Sequence, residues 1–206
     1  MKLVCIADTH SKEKELFIPH GDVLIHAGDY SHLGRKKETN HFFDWLIAQP
    51  HTYKIVVAGN HDYYLEKMYD DFSELNLPKN IHILHNKEII IKGKRFYGSP
   101  NTNLGKSWAF GLTVPEMENN WKKIPENTDV VITHMPPYDV LDHTRYNHIG
   151  CNYLRNVIKK IKPKYHIFGH AHENYGKVTL GETTFINATS FDNKLISKNP
   201  PIVLEL

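Results

Sequence analysis

Short, mostly apolar runs recur along the chain at 3–7, 23–27, 54–58, 129–133 and 165–168. Each is β-branched and too short for a helix, so the pattern predicts strands buried on both faces. Between them the period changes. Over 35–49, Phe42, Phe43, Leu46 and Ile47 fall on one face of a helix that Pro50 ends. The same spacing at 152–161 places Leu154, Val157, Ile158 and Ile161 together and stops before Pro163. A weaker helix is expected over 116–123, between Pro115 and Pro125. Segments 81–97 and 177–206 read as strands and hairpins, with Gly181 centring a turn in KVTLGETTFINA. Strands alternating with helices, then extra hairpins, predict an α/β sandwich of two sheets. No repeat or linker divides the sequence, so a single domain over 1–206 is expected.

Every buried-strand candidate ends in potential metal ligands. The first runs into Asp8 and His10 (IADTH), the second into Asp29 (HAGD), and the third into Asn60, His61 and Asp62 (AGNHD). The fourth reaches His134 (ITHMPP), and the fifth His170 and His172 (FGHAH). Open α/β sheets deliver functional groups at the carboxyl ends of their strands. Gly28, Gly59 and Gly169 beside these residues allow sharp turns and close approach. Imidazole with carboxylate suits divalent transition ions, and the lack of a thiolate argues against a closed structural zinc site. Singly, each block reads as well as a turn, an N-cap or a surface histidine pair. All of them in order, each at its own strand end, do not.

In that order the blocks resemble the signature of the calcineurin-like metallophosphoesterases: D-x-H, G-D, G-N-H-D, H and G-H-x-H, over residues 3–190 or so. GDVLIHAGDY, YKIVVAGNHD, RFYGSP, THMPP, FGHAHENYG and NPPIVLEL extend the resemblance nearly end to end. These stretches are similar to small metallophosphoesterase-domain proteins whose vertebrate members are cyclic-nucleotide phosphodiesterases. The resemblance implies a four-layer αββα sandwich of two mixed β-sheets flanked by helices. It implies one ion on Asp8, His10, Asp29 and His172, and a second on Asn60, His134 and His170, with Asp29 bridging. Such ions lie ~3.5–4 Å apart and share a hydroxide that attacks in line. His61 would bond the phosphoryl group and assist the leaving oxygen, with Asp62 orienting its imidazole. Some relatives carry Gly where this chain has His170 and lose metal affinity, so His170 implies a competent second site. Mn²⁺ is the first expectation, with Fe, Zn, Co and Ni open.

Charge points to a diester. Two divalent ions, less two carboxylates and a hydroxide, leave a site of roughly +1, which one diester anion neutralises. Monoester dianions usually recruit arginine forks. Here GDYSHLGRKK stands where phosphoprotein phosphatases carry G-D-x-x-D-R-G, and the arginines are only Arg35, Arg95, Arg145 and Arg155. A small phosphodiester such as a cyclic nucleotide is the expected substrate. A nuclease or dinucleoside-polyphosphate hydrolase on the same ions, or a non-catalytic scaffold, are the alternatives. The polar stretch 98–111 is expected to wall the pocket, with Trp108 either stacking on a base or, like Phe110, pinning the loop to the core. His32, just past Asp29, is a candidate to reach the substrate phosphate.

Composition removes other classes. A net charge of +2, with Lys and Glu scattered, favours neither stable nucleic-acid binding nor an anionic membrane. The two cysteines, Cys5 and Cys151, form no CxxC and fit a reducing cytosol. The apolar start breaks at Asp8, and no run approaches the ~18 apolar residues of a membrane span. A cytoplasmic protein without a membrane partner is expected. Fifteen histidines are roughly three times ordinary usage. Of those outside the motifs, His26 reads as a buried, hydrogen-bonded core residue, and His166 among others as surface or satisfied.

Overall fold

The mostly apolar runs need cover on both faces, and the chain supplies it by stacking two sheets and capping each with helices. A computed structural model describes residues 1–68 and 71–206. In chain order come β1 (Lys2–Ile6), β2 (Val23–Ala27), α1 (Lys36–Ala48), β3 (Tyr53–Val57), α2 (Tyr63–Lys67) and β4 (Ile81–Ile83). There follow β5 (Lys87–Ile91), β6 (Lys94–Ser99), α3 (Val114–Trp121), β7 (Val130–Thr133), α4 (Asn152–Ile161) and β8 (Tyr165–Phe168). The last strands are β9 (Gly176–Leu180), β10 (Thr183–Asn187) and β11 (Ile202–Glu205).

One sheet has the order β11-β1-β2-β3-β4, the other β5-β6-β7-β8-β10-β9. Both are mixed: the interior strands run parallel, while β11, β5 and β9 pair antiparallel at edges. Alternate residues explain the layers. Leu3, Cys5 and Ala7 of the first run face a core shared with Val130, Ile132 and Ile167 of the other sheet. Val4 and Ile6 face outward, beneath Phe42, Phe43 and Leu46 of α1. On the far side Val131 and Phe168 lie under Met117 and Trp121 of α3 and Leu154 and Ile158 of α4. This is the four-layer αββα arrangement.

The third helix begins two residues earlier than the periodicity predicts. Thr113 donates both its backbone N–H and its hydroxyl to Glu116, each at 2.8 Å, capping the first turn. Pro115 then sits inside that turn, where a missing N–H breaks no helical bond. Because β1, β2, β3, β7 and β8 run parallel within their sheets, their carboxyl ends gather at one edge. Ala7 bridges to Thr189, and Ser190 N–H donates to Ala7 O at 2.8 Å, closing the two sheets together there.

Candidate metal centre

The chain leaves β1, β2 and β8 through backbone that L-residues avoid. Asp8, His10, Asp29 and His170 have φ of +52°, +43°, +56° and +68°. Left-handed backbone at non-glycine positions persists only where its surroundings enforce it, and it concentrates at functional sites. Here Asp8 N–H donates to Gly28 O at 2.9 Å and His10 N–H to Asp29 O at 3.0 Å, locking the first turn against the second. His170 N–H donates to both oxygens of Asp8, at 3.1 and 2.9 Å, tying the second sheet to the first. Gly169 is required at that junction, since a Cβ would collide with the Asp8 carboxylate.

All seven expected ligand residues come together. Ligand atoms of Asp8, His10 and His172 lie within 4.8 Å of one another, as do those of Asp29, His134 and His170. Asn60 joins the second group, its Oδ1 lying 2.9 Å from His134 Nε2.

The hydrogen bonds behind the rings test whether this set suits a cation. His10 Nδ1 meets Ser31 O at 3.1 Å, His172 Nδ1 meets Phe191 O at 2.8 Å, and His134 Nδ1 meets Ala27 O at 3.0 Å. A carbonyl only accepts, so each Nδ1 carries a proton and each ring turns its Nε2 inward, free to hold a proton or to ligate a cation. The Nε2 atoms of His10 and His172 face each other at 3.4 Å. Asp29 Oδ2 is 3.9 Å from the first and Asp8 Oδ1 is 3.9 Å from the second. At the other group, His134 Nε2 faces Asn60 Oδ1 and, at 3.4 Å, Asp29 Oδ2. Lone pairs turned on lone pairs in a buried setting repel unless a proton or a cation lies between them. The donor set fits divalent ions on both groups.

Titration follows the same geometry. Burial works to raise the Asp29 carboxyl, but the His134 and His10 imidazoles outweigh it and hold it below the usual carboxylate range. Burial likewise works to lower His134, and Asp29 overcomes it, holding that ring up at about 9. His170 faces the same burial with less compensation and is held at about 4.

His61 and Asp62 part ways. The resemblance implied that Asp62 orients the His61 imidazole; instead His61 Nδ1 donates to His32 O at 2.7 Å. The Asp62 carboxylate is fully buried behind the ligands. One oxygen accepts from Gly59 N (2.7 Å) and Asp29 N (3.0 Å), the other from Ser31 N (3.0 Å) and Ser31 Oγ (2.7 Å). It clamps the turns after β2 and β3 to each other. Burial, then the Asp29 carboxylate, push the Asp62 acid up, and the four donors act against that push. His61 N–H in turn donates to Asp29 Oδ1 at 2.8 Å. With Nδ1 committed to His32, Nε2 is the ring nitrogen available to a substrate.

The calcineurin-like phosphoesterase family model matches residues 1–174, across every strand end that carries these groups. The chain belongs to the calcineurin-like phosphoesterase family. That family comprises phosphoester hydrolases that use divalent metal ions. Among curated relatives, metallophosphoesterase domain-containing protein 1 of Homo sapiens is 36% identical over 230 residues, spanning 100% of this chain and 71% of the relative. Among solved structures, TT1561 of Thermus thermophilus superposes with a TM-score of 0.67 at 13% identity, covering 90% of this chain and 88% of that one. Phosphopantetheinyl hydrolase of Mycobacterium tuberculosis superposes with a TM-score of 0.65 at 15% identity, covering 94% and 90%. At those identities the structural likeness establishes the phosphoesterase fold alone.

Around the candidate centre, His10, His32, His61, His172, Asn193 and Leu195 line an opening of about 160 Å³. The His32 ring stacks near His61, with centroids 6.1 Å apart, so it reaches the opening while its carbonyl anchors His61. Phe110 is buried in the core beneath α1, whereas Trp108 stays 38% exposed with its ring 5.2 Å from His61. Phe110 pins the loop; Trp108 borders the site. His26 is buried and bonded to Thr9, as expected. His166 differs from the expected surface or satisfied position: it is fully buried, Nε2 meets Thr133 Oγ1 at 2.9 Å, and Nδ1 has no partner. Among the described residues no helix is long and apolar enough to cross a membrane.

Two supporting groups were not anticipated from sequence. Thr189 donates its hydroxyl to Asp8 Oδ2 at 2.8 Å, across 181 residues. Glu38 of α1 accepts from His32 N, Leu33 N, Arg35 N and Ser11 Oγ, pinning the segment whose carbonyl holds His61. Its place in the first helical turn was the available signal for Glu38; Thr189 carried none.

Proposed function

We propose that the chain hydrolyses a small phosphodiester, a cyclic nucleotide, on a pair of divalent ions, with Mn²⁺ as the first choice. The observation that carries this reading is the convergence of seven ligand side chains from both sheets, with the His61 ring at their mouth. Asp8, His10, Asp29 and His172 would hold one ion, and Asp29, Asn60, His134 and His170 the other. When bound, the ions supply Lewis acidity toward the phosphoryl oxygens and an activated water.

The chain's own residues do the rest. His61, anchored through Nδ1, presents Nε2 to the phosphoryl group and delivers a proton to the departing oxygen. Asp62 keeps the turns behind Asp29 and Asn60 in register, so that the ligands hold their directions. His32 lends a second imidazole to the same opening. A singly charged phosphate suits this wall, because among the described residues no arginine lines it. Arg95 pairs with Glu88, while Arg145 and Arg155 lie over the rings of Tyr146 and Phe185. Arg35 stands at the exposed start of α1.

The test strips the purified protein of metal, restores Mn²⁺, and compares 3′,5′-cAMP with bis-p-nitrophenyl phosphate. Both should turn over, and His61→Asn should lower the rate by a factor of roughly 10²–10⁴, the range for a lost proton donor. Failure to cleave either while two ions bind per chain would sink the diesterase reading.

A further inference from the structure

Beside the ligand cluster lies a second, larger cavity of about 440 Å³, between the 99–112 loop and α3. Trp108 forms the partition. It lines this cavity, and its ring is 5.2 Å from the His61 imidazole that lines the smaller opening. An ester whose phosphoryl group sits at His61 would carry its organic part past Trp108 into the larger space. The smaller one, about 160 Å³, leaves little room for it.

Four asparagines, Asn86, Asn101, Asn119 and Asn120, contribute to its lining, together with His85 and the charged and apolar side chains around them. Asn101 is spent on structure: Nδ2 donates to Phe110 O at 3.1 Å, and Oδ1 accepts from Asn86 Nδ2 at 2.9 Å and Ser99 Oγ at 3.2 Å. Its neighbours keep hydrogen-bonding capacity unused. Asn86 Oδ1 is buried with no donor among the described residues. Asn120 is buried and donates Nδ2 to Ser99 Oγ at 3.3 Å, and among the described residues no hydrogen bond reaches its Oδ1. Asn119, on the exposed side of α3, makes no side-chain hydrogen bond among the described residues. Amide carbonyls and amide N–H₂ groups pair with ligand edges that alternate donors and acceptors.

Charge narrows the class. The lining holds two acids, Glu66 and Glu116, and two bases, Lys106 and Lys123. Lys106 is paired with Glu116 at 2.9 Å, and Glu66 accepts the Phe110 N–H at 2.6 Å. A balanced wall gives no purchase to a second phosphate. A plain aliphatic chain would leave the amides unpaired, which is costly where they are buried. A flat, neutral, hydrogen-bonding ring set against Trp108 meets both conditions.

We infer that this cavity is the specificity pocket for the organic group of the ester, and that the group it takes is a nucleobase. The link to catalysis rests on the phosphodiesterase reading; recognition of the base does not, and can be measured apart from it.

The probe is a nucleoside, guanosine or adenosine, which carries the base and no phosphorus. Titrated into the ¹⁵N-labelled protein, one of them should produce saturable shifts at the Trp108 indole N–H and at the Asn119 and Asn120 side-chain amides. Ribose 5-phosphate should not. Asn119→Trp fills the cavity from an exposed position, so a spectrum that keeps its dispersion should accompany at least tenfold weaker nucleoside binding. No saturable shift at these groups with either nucleoside, or unchanged affinity in Asn119→Trp, would overturn the inference even if cyclic nucleotides are hydrolysed. Nucleoside binding in a protein that cleaves no diester would support the pocket and sink the diesterase reading.

Discussion

Replacing Asp62 with asparagine, same shape and no charge, asks whether the turns behind the ligands are held by a carboxylate clamp. Each oxygen of Asp62 accepts two hydrogen bonds, one from Gly59 N and Asp29 N, the other from Ser31 N and Ser31 Oγ. Asparagine keeps one oxygen and turns an N–H₂ group on the other pair. Facing the amide toward Gly59 and Asp29 would strip two backbone N–H groups of their acceptor. Facing it toward Ser31 is cheaper, because that hydroxyl already lies 3.0 Å from His61 O and can donate there while accepting from the amide. Ser31 N–H is then the one group left without a partner. A buried N–H without an acceptor costs about 1–3 kcal/mol, while the charge assistance lost from the surviving bonds is offset by relief of the burial and Asp29 repulsion that push the acid up. The expected loss is therefore ~1–3 kcal/mol, or roughly 2–12 °C in melting temperature for a chain of this size. Urea unfolding near pH 8, where the Asp62 carboxylate is ionised, measures it. His61→Asn serves as the control, since it gives up only a partly exposed bond and should cost under about 1 kcal/mol. An Asp62→Asn protein within about 0.5 kcal/mol of wild type would refute the clamp and move Asp62 into the chemistry itself.

Two further expectations concern metal and pH. Gly169→Ala drives a Cβ into the Asp8 carboxylate and against Ala7, so metal content measured after equilibration should reveal a loss of affinity of about 10–100-fold. Full occupancy at wild-type affinity would show that Asp8 is not a ligand. His166 is held at about 3, by burial first and then by Arg155, against about 6.5 in an unfolded chain. A depressed native value means that the unfolded state takes up a proton the native state refuses. The contribution of His166 is thus intact above a pH of about 6.5 and is lost as the pH falls from there toward about 3. His166→Phe leaves Thr133 its bond to Met135 O, and its unfolding free energy should fall less steeply over that window, by up to ~1.4 kcal/mol per pH unit. Equal slopes would show that His166 does not carry the acid sensitivity.

Local periodicity went far in this chain. The strands at 23–27 and 165–168 and the helix at 152–161 fall where the apolar spacing puts them, because each is bounded by a polar residue, a glycine or a proline. The ligand blocks were legible because side chains delivered from parallel strand ends meet whatever lies between those ends. What escaped reading was of three kinds. The helix at Tyr63–Lys67 is too short to show a period, and α3 started early because a side-chain cap at Thr113 outweighed its weak amphipathicity. The partners of His61 and Asp62 were misassigned for a different reason: adjacency in sequence suggested that they touch. The turn after β3 sends one side chain out to the opening and the other back into the protein. Thr189 and the amide-lined cavity depend on segments far apart in the chain, and a single sequence read by itself carries no sign of either contact.

The left-handed turns at Asp8, His10, Asp29 and His170 bear on how this scaffold can change. An L-residue in that conformation costs roughly 1–2 kcal/mol, a cost glycine escapes, at some loss of entropy on folding. Exchanging His170 for glycine, unlike Asp8 and Asp29, whose buried carboxylates accept hydrogen bonds, therefore removes a candidate ligand and relaxes the backbone in a single step. Where losing a ligand also strands a buried hydrogen-bond partner, unfolding polices the slide toward inactivity. At His170 the two are decoupled. The chain can forget its chemistry and keep its shape, so foldedness alone will not report whether a variant still works. His170, held at +68° where glycine would rest more easily, stays only where something other than folding calls for an imidazole.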